Sequence, residues 1–390
     1  MLTSIAMILL LGLLIGWIFS KCKLPSFLGM IIVGILLSPN ALNKIDDSIL
    51  IISSELRQIA LVIILTRAGL SLNLEELKKV GRPAVLMCFV PACIEMLGTI
   101  ILAPMLLGVS VIEAAVMGSV IAAVSPAVIV PRMIRLMDEG YGTNKSIPQL
   151  ILAGATVDDV FVIVAFTAFT SLATTGSASL TSFIQIPISI AVGVLFGVCV
   201  GFVLVLYFKK FHMRDSVKIL IILSISFLLL EAETRLQGYI PMSGLLAIMS
   251  MGIIIKQKYN VLALRLSVKY NKLWLGAEVF LFVLVGATVD LKYVASAGVA
   301  AVVLIAAALI FRMTGVALSL IKTSLSKKER LFCMIAYTPK ATVQAAIGAI
   351  PLSMGLECGN IVLTVAVLSI LLTAPFGAIG VDNFYKRLLT

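Results

Sequence analysis

Asp158 and Asp159 stand side by side in "ILAGATVDDVFVIVAFTAF" (Ile151–Phe169), a stretch otherwise apolar enough to cross a bilayer. Adjacent residues on a helix of 3.6 residues per turn point about 100° apart. The two carboxylates therefore cannot share one proton face to face as the dyad of an aspartyl protease does, and each needs its own surroundings. A carboxylate in a restricted aqueous cavity can hold either a proton or a small hard cation, for which oxygen ligands are the natural partners. Competition between the two for one carboxylate is the minimal chemistry of cation/proton exchange. The other reading is a buried ion pair with Lys340 or Arg312, which suits one aspartate better than both.

Other charges lie at similar depth: Glu95, Arg312, Lys340, Arg67 and Glu278 all fall within apolar runs. A charge at the centre of a membrane helix costs at least about 2.5 kcal/mol, so each is a candidate functional residue. Glu95 and Arg312 read as a structural salt bridge, and Arg312, always charged, is a poor proton carrier. Lys340 either compensates the negative end of a broken half-helix or pairs with Asp158. Arg67 and Glu278 sit near span ends and can face water. Ser125 and Thr156 are expected as additional oxygen ligands. His212, the single histidine, lies among Lys209, Lys210 and Arg214, which argues against histidine-bound zinc. The six cysteines show no CxxC spacing and read as packing residues. No phosphate-binding glycine loop occurs in a strand-to-helix setting, which argues against direct use of ATP. No cofactor is expected.

These residues must be held by membrane helices. The 390 residues are 61% hydrophobic and 13% charged, with a mean hydropathy of +1.16, and apolar runs of about 20 residues recur, the length that crosses ~30 Å of hydrocarbon. The fold class is an all-α polytopic membrane protein, with thirteen expected spans: Leu2 to Ser20, Leu24 to Leu37, Leu56 to Leu72, Pro83 to Leu107, Glu113 to Leu136, Pro148 to Leu172, Ile184 to Tyr207, Ser216 to Leu230, Pro241 to Ile255, Leu273 to Val289, Ala295 to Ile321, Leu331 to Leu352 and Ile361 to Gly380. The first lacks a basic leader and a small-residue cleavage pattern, so it reads as a span. Of the 30 lysines and arginines, all but seven fall in odd-numbered loops or the C-terminal tail. Lys44, Arg57, Arg235 and Lys292 lie in or beside even-numbered loops; Arg67, Arg312 and Lys340 lie within spans. This bias predicts the N-terminus outside and the C-terminus cytoplasmic. It also explains the net charge of +11 without a nucleic-acid partner.

An internal repeat is expected. At an offset of 217, "RAGLSLNLEELKKVG" aligns with "LVGATVDLKYVASAG": Gly69 falls on Gly286, Ser71 on Thr288, Asn73 on Asp290, Leu74 on Leu291, Gly81 on Gly298, and further on Glu95 on Arg312. An odd number of spans between the copies makes them inverted, with spans 1–6 (1–172) as one repeat, span 7 (173–215) as linker and spans 8–13 (216–390) as the other. "AVSPAVIVPRM" with Pro126 and Pro131, and "TPKATVQAAIGAIP" with Pro339, then occupy equivalent spans. Proline removes a backbone donor and clashes with the preceding turn, so both spans are expected to be discontinuous and to cross near mid-membrane.

The stretches "LPSFLGMIIVGILLSP", "RAGLSLNLEELKK", "AVSPAVIVPRMIRLMDEGYGTNKSIPQLILAGATVDDV" and "TPKATVQAAIGAIPL" resemble the sodium/proton antiporters of the NHA branch of the monovalent cation:proton antiporter superfamily, over nearly the whole chain. The resemblance implies a homodimer of NhaA-type fold in the cell membrane, with a dimer domain (1–72 and 216–291) and an ion-carrying core (83–172 and 295–380) that move as an elevator. It implies Na⁺ or Li⁺ exchanged for H⁺, with Asp159 carrying the ion and Asp158 assisting. Many relatives with two aspartates carry a lysine where Arg312 stands, and this departure opens the question of proton stoichiometry. A K⁺/H⁺ antiporter or K⁺ efflux system of the same fold is the alternative; the short tail after span 13 counts against those members with a soluble nucleotide-binding domain. An intramembrane aspartyl protease is the remote one.

Overall fold

The computed structural model describes residues 1–71, 81–175, 180–236, 242–289 and 291–389, and the elements among them are helices. Asn73, Leu74 and Asp290 of the aligned stretches lie outside the described residues, as do the side chains of Leu291, Lys292 and Thr156. In chain order the helices are α1 (Leu2–Lys21), α2 (Ser26–Leu37), α3 (Asp47–Ile51), α4 (Ser53–Ser71), α5 (Arg82–Met87), α6 (Val90–Leu107), α7 (Val111–Ile121), α8 (Pro126–Asp138), α9 (Ile147–Thr175), α10 (Leu180–Lys210), α11 (Asp215–Leu236), α12 (Gly244–Lys258), α13 (Asn260–Ala287), α14 (Leu291–Ser319), α15 (Lys327–Ala336), α16 (Thr342–Ile347), α17 (Ile350–Ser353) and α18 (Gly359–Leu388). Eight helical stretches among the described residues are long and apolar enough to cross a membrane, and Ser26–Leu37 and Thr342–Ser353 are shorter apolar ones.

Three expected spans are divided. The fourth splits into α5 and α6 at Cys88–Phe89, with Pro91 in the first turn of α6. The fifth splits into α7 and α8. Pro126 is the first residue of α8 and disfavours helical backbone at Ser125, which is extended at φ −91°, ψ 110°. Pro131 lies inside α8 without ending it. The twelfth becomes α15, α16 and α17, with Pro339 in the gap after Ala336. Both α7 and α15 start with a capping box, Ser110 with Glu113 and Ser326 with Glu329, which supplies partners to backbone N–H groups that the first turn leaves open. Arg57, expected at a span edge, lies one turn inside α4 and is buried.

The chain forms two compact units. The first comprises Met1–Ser54, Leu74–Phe169 and Val279–Thr390. Within it Phe27 of α2 stacks on Phe282, with ring centroids 4.9 Å apart. The helices α6 and α14 approach closely because small residues face them at two levels: a Cβ on Gly98 would lie 2.5 Å from the Phe311 ring, and one on Gly315 would lie 2.6 Å from the Pro91 backbone. An apolar core of α8, α9, α15 and α18 includes Met133, Leu136, Ile151, Phe332, Tyr337 and Val381. At one end of α8, Arg132 and Arg135 both pair with Asp382 of α18, at 3.1 and 2.8 Å.

The second unit comprises Glu55–Asn73 and Thr170–Glu278. Its glycines Gly193, Gly197 and Gly201 recur every fourth residue on α10, against Ser243, Ala247 and Met251 of the α12 stretch. Spacing by four puts them on one helix face, and their missing Cβ atoms let the two backbones touch.

Candidate functional site

Of the divided spans of the first unit, the fifth and the twelfth meet at their gaps. Ser125 N–H donates to the Pro339 carbonyl at 2.8 Å, joining one unwound segment to the other. Each gap exposes carbonyls at a half-helix C-terminus and N–H groups beyond it, and these must find partners because no water is present in hydrocarbon to supply them.

Side chains supply them. Arg312 of α14 donates through Nη2 to Asp158 Oδ2 at 2.9 Å, through Nη1 to Glu95 Oε2 at 2.9 Å, and through Nε to the Tyr337 carbonyl at 2.7 Å. Its Nη1 also reaches the Ala122 carbonyl in the first gap. Asp158 Oδ2 accepts a second bond, from Val124 N–H at 2.8 Å. Lys340 pairs with Glu95 Oε1 at 2.6 Å and donates to the Ile121 carbonyl at the end of α7. The backbone N–H of Lys340 donates to Thr373 Oγ1 of α18 at 2.9 Å. The side chains of Glu95, Asp158, Arg312 and Lys340 have no exposed surface. They form a chain of alternating charge, Asp158 to Arg312 to Glu95 to Lys340, which sums to zero. Buried charges are tolerated on these conditions, when paired and further hydrogen-bonded.

The expected salt bridge between Glu95 and Arg312 is present. The counter-charge of Asp158 is Arg312, one of the two cations that the sequence offered for it. Lys340 instead takes the other place that the sequence left open, at the C-terminal end of a half-helix, where a cation suits the exposed carbonyls. A guanidinium has five donors in a planar fork and can serve two carboxylates and two carbonyls together; an ammonium has three. Arg67 and Glu278, both in the second unit, take no part in this cluster.

Asp159 takes none of these partners. Its Oδ1 is buried without a hydrogen-bond partner, as are Oδ1 of Asp158 and the hydroxyl of Ser125. Buried oxygens without a donor beside them are an all-oxygen set, suited to a proton or a hard cation. Thr156 lies outside the described side chains.

Three residues here carry no charge and so escaped the reading of ionisable side chains. Tyr337 gives its carbonyl to Arg312, and its ring lies under the guanidinium at 5.5 Å. Its hydroxyl fills the space over Gly154, where a Cβ would come closer than any real contact. Thr373 holds the Lys340 backbone. Gln344 spans both gaps: its Nε2 donates to the Ala123 carbonyl at 2.8 Å and its Oε1 accepts from Ala341 N–H at 2.8 Å. The available signal was a polar amide within "TVQAAIGAI", otherwise small and apolar.

Two broken helices that meet at their gaps, around a neutral buried charge cluster with spare carboxylate oxygens, form a site suited to a membrane ion transporter. The chain belongs to the sodium/hydrogen exchanger family: the transmembrane sodium/hydrogen exchanger model matches residues 6–383. Sodium/hydrogen exchanger 9B2 from Homo sapiens is 32% identical over 383 residues, covering 94% of this chain and 70% of the relative. Sodium/hydrogen exchanger 9B1 from Homo sapiens is 30% identical over 383 residues, covering 94% and 73%. The solved structure of the sodium proton antiporter MjNhaP1 from Methanocaldococcus jannaschii at pH 8 aligns with a TM-score of 0.85 and 21% identity, over 99% of this chain and 98% of that one. These relatives are transporters rather than enzymes.

Proposed function

We propose that the chain is a secondary antiporter that exchanges Na⁺ or Li⁺ for H⁺, with proton and cation competing for Asp159. The observation that carries this reading is the unpartnered, buried Oδ1 of Asp159 beside an Asp158 whose Oδ2 is already held by Arg312 and Val124. Asp158 Oδ1 and Ser125, with Thr156 as a further candidate, complete the oxygen ligands.

Charge balance supports one-for-one coupling. Glu95, Asp158, Arg312 and Lys340 cancel, so they leave the charge of Asp159 beside them uncompensated. Neutralising it with either one proton or one monovalent cation leaves the same net charge to be carried through hydrocarbon, where a bare charge is expensive. In this reading Arg312 keeps its proton throughout and Asp158 serves as a ligand.

The larger frame of the proposal is thirteen spans in two inverted repeats, a homodimer in the cell membrane with the N-terminus outside and the C-terminus cytoplasmic, and elevator movement of a core (83–172 and 295–380) against a dimer domain (1–72 and 216–291). Such a carrier would serve sodium and pH homeostasis. Reciprocal packing supports the repeat. Gly69 of α4 abuts Met249 and Gly252 of α12, and Gly286 of α13 abuts Ile31 and Ile35 of α2; the offset that carries Gly69 onto Gly286 also carries Ile35 onto Gly252. The two capping boxes, Ser110–Glu113 and Ser326–Glu329, keep nearly the same offset.

Proteoliposomes test the function. With Asp159→Asn, Na⁺-driven proton movement should fall to background, and unchanged movement would overturn the assignment. Na⁺, Li⁺ and K⁺ jumps on a solid-supported membrane should give pH change without net current if coupling is one for one.

A further inference from the structure

Exchange by this site requires the two unwound segments to keep a fixed register, because ligands on one are set by bonds to the other. The backbone groups of the first gap are taken up almost one by one. The Ile121 carbonyl receives Lys340, the Ala122 carbonyl receives Arg312, Val124 N–H serves Asp158 and Ser125 N–H serves the Pro339 carbonyl. The Ala123 carbonyl receives Gln344, and the same amide secures Ala341 N–H in the second gap. Gln344 also approaches the Ile121 carbonyl at 3.4 Å. Its side chain has no exposed surface, so neither bond can be replaced by water from outside.

We propose that Gln344 is a positioning residue of the exchange site: its side-chain amide locks the unwound segment 122–125 to the start of α16 and so holds Val124 and Ser125 in place against the two aspartates. This rests on the antiport reading above. Two features distinguish Gln344 from packing. First, it is a neutral donor and acceptor at once, able to satisfy a carbonyl in one gap and an N–H in the other, which no apolar residue of the same volume can do. Second, it leaves the charge balance of Glu95, Asp158, Arg312 and Lys340 untouched. Its loss should therefore loosen the cation's ligands while leaving the carboxylate able to take a proton.

The test is Na⁺/H⁺ exchange by the full chain in proteoliposomes, measured over Na⁺ concentration and pH for wild type, Gln344→Leu and Gln344→Asn. Gln344→Leu should raise the KM for Na⁺ about tenfold. With proton and Na⁺ in competition, a tenfold weaker cation moves the acidic activity midpoint upward by about one pH unit when Na⁺ is fixed at a concentration that saturates both proteins at alkaline pH. If Gln344→Leu does not fold, Gln344→Asn, which keeps both polar atoms but is one methylene short of reaching both gaps, carries the test with a smaller shift in the same direction. KM and midpoint unchanged, with only the maximal rate reduced in step with the folded fraction, would overturn the proposal. Na⁺-dependent thermal stabilisation of the purified protein separates the two readings. Wild type that is stabilised by Na⁺ but does not exchange it would overturn antiport, and the Na⁺ midpoint of the Gln344 variants would still decide the role of Gln344. Neither exchange nor stabilisation in wild type would overturn both.

Discussion

Arg312 and Asp158 lie 2.9 Å apart with no exposed surface on either side chain, and the same guanidinium reaches Glu95 at 2.9 Å. One arginine thus bridges a carboxylate of the conspicuous aspartate pair and an acid on α6, while the second aspartate is left outside the network. In the proposed exchange the neighbours Asp158 and Asp159 therefore differ: Asp158, held by Arg312, lends its other oxygen as a ligand, and Asp159 exchanges its partner.

That division predicts a split between stability and transport. Asp158→Asn leaves Arg312 with one carboxylate in place of two, and breaking a buried pair typically costs about 3–5 kcal/mol. Asp159→Asn removes a carboxylate that has no pairing cation. Thermal unfolding in detergent should therefore show Asp158→Asn clearly destabilised and Asp159→Asn as stable as wild type or more so, while exchange by Asp159→Asn should fall to background.

Arg312→Lys keeps the positive charge but has three donors for the four acceptors that Arg312 serves. A loss of about 2–4 kcal/mol is expected from the groups left unpaired. The lysine can also release its proton, so a second proton becomes available per cycle. Na⁺ jumps that give no current with wild type should give one with Arg312→Lys, and silence from a folded, transporting Arg312→Lys would count against one-for-one coupling.

Glu95 and Lys340 form the outer pair of the cluster at 2.6 Å. Glu95→Gln strands Lys340, and Lys340→Met removes the cation at the end of α7. The double variant Glu95→Gln/Lys340→Met removes both charges together, so it should be less destabilised than the sum of the singles by about 1–3 kcal/mol in a double-mutant cycle. Additive losses would mean that the two side chains act independently.

Glu329, at the start of α15 and ahead of the membrane run, pairs with Lys145 at 2.8 Å and caps its helix through Ser326. Burial disfavours its charge, but the hydrogen bonds from Lys145 and Ser326 outweigh this and hold the carboxyl below its ordinary range. A depressed native value stabilises the fold above the unfolded value of about 4.3, and the benefit is lost as pH falls through the native value. The thermal stability of wild type should exceed that of Lys145→Met at neutral pH, and the gap should close as the medium is acidified below about pH 4.

Much of this protein is legible in its sequence because the bilayer is an unforgiving solvent. Apolar runs of span length, a one-sided distribution of basic loops and the few charges at depth are written residue by residue, and they led to Asp158, Asp159, Glu95, Arg312 and Lys340 before any geometry was known. Pro126 and Pro339 likewise mark the interruptions, because a missing N–H and a clashing ring act locally. Pro131 shows the limit of that rule: it lies inside α8 and does not end it.

Tertiary structure alone decided who pairs with whom. Arg312 and Lys340 are both long cations in apolar helices, and nothing in their order along the chain says which reaches Asp158. The choice came from how closely α6 and α14 approach over Gly98 and Gly315, and from where the two gaps cross. The same crossing gave Gln344 its partners, Ala123 in one gap and Ala341 in the other. A sequence records which groups must be satisfied in hydrocarbon; only the packed helices determine which donor lies within 3 Å of which acceptor.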